Sequence, residues 1–139
     1  MANNVQFHDY SMQVKAALEE AAIQYLHEAA GELEAMTKRN QSRVDTGQTK
    51  GGWTYVVDEV KLEATVGNPL ENAIWEEFGT GEYALNGDGR KGGWNYKDEK
   101  GNWHFTRGKT PLRAFHKAYT NLKPKLIKRA EQVLKGKLT

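Results

Sequence analysis

Six glycines fall between Gly79 and Gly93, in the stretch AIWEEFGTGEYALNGDGRKGGW, directly behind two adjacent acids, Glu76 and Glu77. Glycines at this density suit a phosphate cradle, which needs backbone N–H groups converging at a helix N-terminus, as in GxxxxGK[ST] or in GxGxxG after a strand. Here Gly79-Thr80-Gly81 runs into Glu82, whose charge opposes an anion, and no helical periodicity starts there. A flexible loop is the better expectation. Paired acids suggest general acid–base chemistry, which needs two carboxylates flanking one bond. Sequence neighbours point about 100° apart on a helix and to opposite faces on a strand. One of the two is therefore expected to face water and the other to pair with an arginine, with a distant acid such as Asp45 needed to restore an acid–base pair.

The other reactive side chains are scattered. His8, His27, His104 and His116 lie in four different elements, without the i, i+4 or HExxH spacing of a metal site. Ser11 and Ser42 are the only serines and neither sits in GxSxG. The absence of cysteine removes disulfides, zinc–thiolate sites, iron–sulfur clusters and cysteine nucleophiles. The expectation is no enzyme, no metal and no cofactor.

Charge is the stronger signal. The formal net charge of +2 conceals a chain that is acidic over its first 36 residues and strongly basic from Arg107 onward, where Glu131 is the only acid. Lys117, Lys123, Lys125, Lys128 and Arg129 are the candidates to face DNA, where each phosphate neutralised adds about −0.9 to the salt slope. The competing reading is a solvated helix face packed against the acidic N-terminal helix, with exposed pairs worth about 0 to 1 kcal/mol each. No base-reading motif accompanies the charge.

A chain of 139 residues is expected to form one domain with one modest core. No signal peptide or membrane span is expected, since no basic run precedes an apolar core and no segment approaches about 18 uninterrupted apolar residues. A soluble, intracellular protein follows from that. Residues 1–10 read as a disordered tail. From Ser11 to about Lys38 the apolar residues Val14, Leu18, Tyr25, Ala29, Leu33 and Met36 recur at helical steps, with Asp9 or Ser11 as cap. A period of two then takes over: Trp53, Tyr55 and Val57, then Leu62, Ala64 and Val66, predict a hairpin. ENAIWEEFG predicts a short helical turn.

A second hairpin is expected over Trp94 to Phe105, turning at Asp98-Glu99-Lys100-Gly101, with Trp94, Tyr96, Trp103 and Phe105 forming an aromatic face and His104 on the polar one. The last helix is predicted from Thr110 or Pro111, with a kink or break near Pro124. The fold class is α+β: a long N-terminal helix, a mostly antiparallel sheet of two hairpins, and a C-terminal helix on the same face.

Three stretches, RVDTGQTKGGWTYVV, VGNPLENAIWEEFGTG and GKTPLRAFHKAY, behind an alanine-rich amphipathic helix, resemble the head–tail joining or tail-completion family of tailed bacteriophages and prophages. The resemblance runs from about Val14 to Leu134. It implies a non-enzymatic virion protein of the neck, made in the host cytoplasm and assembled as a homo-oligomeric ring between the head connector or head-closure protein and the tail terminator, around the path of DNA. By resemblance, Asp45, Thr46 and Gly47 match the turn that leads into the first strand. Trp75, Glu77, Phe78, Gly79, Thr80 and Gly81 match the EFGT signature, and Pro111, Leu112 and Arg113 match the start of the last helix. The chain departs from the pattern at Thr49 and Gly52, and in the inserted aromatic hairpin, which put the detailed contacts in question. A ring subunit would also explain the glycine-rich segment, 79–93, as an arm mobile in the free subunit and ordered by a neighbour.

Overall fold

The computed structural model describes residues 11–43 and 47–138. The chain runs α1 (Ser11–Asn40), a single helical turn α2 (Gln48–Gly51), β1 (Thr54–Asp58), β2 (Glu63–Gly67), α3 (Glu71–Phe78), a 3-10 turn (Gly81–Tyr83), β3 (Trp94–Lys97), β4 (Trp103–Thr106) and α4 (Ala114–Leu138). This is the expected α+β class, with α4 packed on α1. The expected tail, 1–10, lies outside the described residues, as do Asp45 and Thr46. Gly47 has φ +84° and leads into α2, so a helical turn separates it from the first strand.

α1 and α4 run antiparallel and form the centre of the molecule. Leu33 on α1 packs with Ala118 and Leu122 on α4, with Met36, Val66, Phe115 and Leu126 closing the edges, and Ala29 and Ala30 of α1 are buried as well. Alanine at the seam lets two helices approach closely while costing little side-chain entropy. The buried Thr37 hydroxyl donates to the Leu33 carbonyl (2.8 Å), which satisfies its polar group inside the seam. The Tyr25 hydroxyl donates to the Leu126 carbonyl across the pair, and burial raises the Tyr25 pKa above its ordinary value. Tyr25→Phe is expected to cost about 0.5 to 1.5 kcal/mol in chemical denaturation, the net worth of one such bond; no loss would mean water replaces it freely.

β1 pairs antiparallel with β2, with Tyr55 opposite Val66 and Val57 opposite Ala64, and this hairpin lies against α1. Trp53, just ahead of β1, is buried and stacks on Phe115 (5.7 Å between centroids, 9° between planes). The two hairpins remain separate two-stranded sheets.

The last helix corrects the sequence reading at its start, and of the kink or break expected near Pro124 the break does not occur. It begins at Ala114, so Pro111, Leu112 and Arg113 precede it. The Leu112 amide donates to the Glu76 carbonyl (2.7 Å) and Arg113 has φ +59°, a conformation that cannot propagate a right-handed helix. The helix also passes through Pro124 unbroken. Pro124 and Thr120 are both exposed, so the carbonyl that loses its i+4 donor faces water, which takes over the lost bond and lowers the cost of a mid-helix proline.

The second hairpin is corrected in register. Tyr96 pairs with His104 and Lys97 with Trp103. Trp94 and Tyr96 thus share a face with His104, while Trp103 and Phe105 occupy the reverse face, because side chains alternate along a strand. Tyr96 stacks on His104 at 5.3 Å, so the four aromatics do not form the single face expected. The turn forms as expected: Gly101 has φ +85°, and Asp98 Oδ1 accepts from the Lys100 and Asn102 amides (3.0 and 2.8 Å).

Hydrogen bonding from His104 Nε2 to Asp98 Oδ2 (2.7 Å), then the turn amides, holds the Asp98 carboxyl below its ordinary value of 3.8. A depressed folded-state pKa gives stability that is present above the unfolded value and lost as pH falls through the folded one. The Lys100 and Asn102 amide shifts should report the Asp98 titration only in acid below its ordinary value of 3.8. Asp98→Asn should remove that transition; shifts that move together with global unfolding would refute a local cause.

Candidate interaction surface

All three motif stretches converge on Glu76 and Glu77, in the last turn of α3. Arg43 comes from the first, Glu76 and Glu77 from the second, Lys109 to His116 from the third. Glu76 is 6% exposed and Glu77 7%. The expectation that one of them faces water is therefore wrong, because both have buried work to do. Glu76 forms an ion pair with Lys109 and meets Arg43 Nη1 at 3.5 Å, while Arg43 Nη2 donates to the Thr110 hydroxyl at 3.0 Å. Glu77 accepts from the amides of Phe115 (3.1 Å) and His116 (2.9 Å). These are the second and third residues of α4, so Glu77 supplies from a different element the cap that Arg113 cannot provide. The positive end of the helix dipole favours its charge there.

The glycines of EFGTG have a steric reason. After α3, the segment Thr80 to Glu82 lies against Arg107 to Lys109. The Thr80 amide donates to the Lys109 carbonyl (2.9 Å), the Lys109 amide to the Thr80 hydroxyl (2.8 Å), and the Glu82 amide to the Arg107 carbonyl (2.9 Å). A Cβ on Gly81 would lie 2.1 Å from the Arg107 carbonyl oxygen, and Gly81 has φ +61°. The start of the glycine-rich segment is thus laced to the rest of the chain and carries its own 3-10 turn, so it is not structureless throughout as expected. Leu85 also donates back to the Phe78 carbonyl (2.8 Å). The following residues, 86–92, are mostly exposed.

With Glu76 and Glu77 buried beside Ala73, α3 presents its large apolar residues outward. Ile74 is 59% exposed and Trp75 45%, while Phe78 is covered on one side by the Arg113 guanidinium at 5.3 Å. Trp75 is shared by two open cavities of about 600 and 560 Å³; from the β3–β4 hairpin Trp94 lines both and Tyr96 the second. Tyr83 and Leu85 of the glycine-rich segment are exposed as well. On the reverse face of the hairpin Trp103 is 70% exposed. Six half-exposed large residues, Ile74, Trp75, Phe78, Tyr83, Leu85 and Tyr96, offer about 600 Å² if each would contribute about 200 Å² when fully exposed. That approaches the roughly 800 Å² per partner of a standard interface.

Glu76 and Glu77 are not arranged to flank one substrate bond. Glu76 is committed to cations and Glu77 to helix amides. Among the described residues no group of three or more His, Asp or Glu could hold a metal ion, and no helix is long and apolar enough to cross a membrane. Of the residues named for DNA, Lys125 pairs with Glu32 (3.2 Å), and Arg129 with Glu28 (2.9 Å) and Glu32 (3.2 Å), which ties both to α1. Lys123 lies over the Tyr119 ring at 5.6 Å, and Lys117 and Lys128 are exposed.

Sequence reasoning selected Trp75, Glu77, Phe78, Gly79, Thr80 and Gly81, and these do lie together with Pro111, Leu112 and Arg113. It missed Glu76 as a hub, and with it Arg43, Lys109 and Thr110. The missed signal was the inverted pattern of α3, where acids and aromatics alternate over a turn too short to show which side is inside. No family model, no curated protein and no solved structure matches the chain.

Proposed function

We propose that the chain is a structural subunit of a phage neck, a head–tail joining or tail-completion protein that works by binding copies of itself and the adjoining connector and terminator proteins. The observation that carries this reading is α3 packed with Glu76 and Glu77 inward and Ile74, Trp75 and Phe78 outward. An apolar patch of several hundred Å² on a small domain marks an interaction site, and tryptophan and tyrosine are the residues favoured at interface centres. Burying two carboxylates to orient such a face makes sense only if the face is used. The resemblance of the three motif stretches names the assembly; the convergence of those stretches on Glu76 and Glu77 supports treating them as one unit that holds the face in place.

The test is assembly. Purified protein, alone and with the connector and terminator proteins, is expected to form closed rings by negative-stain microscopy and a discrete oligomer by sedimentation. A chain that stays monomeric with both neighbours present would sink the proposal. So would turnover: metal-dependent cleavage of DNA, abolished by Asp45→Ala or Glu77→Gln without loss of fold, would make it an enzyme.

A further inference from the structure

We infer that the outer face of α4 is a contact for the phosphate backbone of duplex DNA, made without reading sequence. Lys117, Asn121, Pro124, Lys128, Glu131 and Lys135 follow one another at steps of three and four and are all exposed, so they form one stripe along the helix. The opposite side of α4, through Ala118, Leu122 and Leu126, is the side packed on α1. The stripe therefore points away from the molecule. Among the described residues no carboxylate lies within ion-pair distance of Lys117, Lys128 or Lys135, whereas Lys125 and Arg129, nearer α1, are paired with Glu28 and Glu32. Glu131 is the one acid on the stripe.

The first helix thus neutralises the cations nearest to it and leaves the outward row free. From Lys117 to Lys135 the row extends about 27 Å at 1.5 Å per residue. Over that length duplex DNA presents about 16 phosphate charges at one per 1.7 Å. Lysine is a point charge on a flexible stem, suited to phosphates and lacking the planar fork that reads guanine. The row carries no arginine. It binds backbone and leaves bases unread.

This inference stands apart from the assembly surface, which lies on α3 and the β3–β4 hairpin. Its test is fluorescence anisotropy with a labelled duplex of about 25 base pairs, titrated across potassium chloride concentrations, for the wild type and for the variant Lys117→Gln/Lys128→Gln/Lys135→Gln. Because all three lysines are exposed, these substitutions are expected to leave the fold intact, which circular dichroism checks. The wild type is expected to bind two unrelated duplexes equally, and the variant to lose at least tenfold in affinity at 50 mM salt, with a salt slope shallower by about 2.7. Failure of the wild type to bind at 50 mM salt would overturn the inference. An unchanged slope in the variant would do the same, as would tighter binding to single-stranded than to duplex DNA. Ring assembly by the same variant, read by sedimentation, is expected to be unaffected, so a failure here is distinct from a failure of the neck reading.

Discussion

The double variant Ile74→Lys/Trp75→Lys should weaken assembly by at least about 30-fold while leaving the subunit as stable as before. The magnitude follows from what such residues do at interface centres: truncating one buried aromatic anchor commonly costs about 2 kcal/mol or more, and every 1.4 kcal/mol is a factor of about ten. Lysine adds the cost of bringing charge into an apolar contact. Little stability should be lost, because both side chains already face solvent, and exposed substitutions stay within about 0.5 kcal/mol. Lysine at 75 would also sit four residues after Glu71, a favourable helical spacing. Sedimentation velocity measures the first quantity and thermal unfolding the second. A variant that assembles like the wild type would show that this face is not the contact. A variant that unfolds would show that the face is part of the core.

Glu77→Ala should have the opposite profile, with a large loss of stability in the isolated subunit. Two amides at the start of α4 would lose a charged acceptor, and hydrogen bonds to charged groups are worth about 1.5 to 3 kcal/mol. A cap alone is worth about 0.5 to 2 kcal/mol. The two estimates overlap, and water can reach the exposed His116, so a total of about 2 to 4 kcal/mol is expected from urea denaturation. Glu77→Gln should recover part of this, because one carbonyl oxygen can serve only one amide well and the charge facing the helix dipole is gone. Glu76→Ala should cost less, because Lys109 and Arg43 can turn their charges to water once their partner is removed. If Glu76→Ala is the more damaging change, the ion pairs hold this junction and the cap does not.

How much of this was legible can be seen element by element. α1 announces itself because its periodicity is sustained over many turns and needs no partner to be recognised. The β1–β2 hairpin and the Asp98-Gly101 turn were legible for the same local reason: alternation and turn chemistry are properties of adjacent residues. The start of α4 was misjudged because Thr110-Pro111 is a sound local cap, and what displaces it is a set of three long-range hydrogen bonds to α3, from the Leu112, Phe115 and His116 amides. The faces of the second hairpin were misjudged because four aromatics look alike in sequence, while cross-strand register decides which of them meet.

For α3, the sequence reading put one of Glu76 and Glu77 in water, whereas the structure buries both and leaves Ile74, Trp75 and Phe78 partly exposed. The sequence by itself determined the fold class, the helix and hairpin order, the missing chemistry of cysteine, and the basic character of the last segment. Only the tertiary structure decided which acids are buried, which aromatics are left outside, and which lysines α1 has already neutralised. The physical reason is that periodicity and turn propensity act within about a helical turn or one hairpin. The sign of an amphipathic face depends instead on which charges and unfilled helix amides arrive from elsewhere: here Arg43, Lys109 and the first turn of α4.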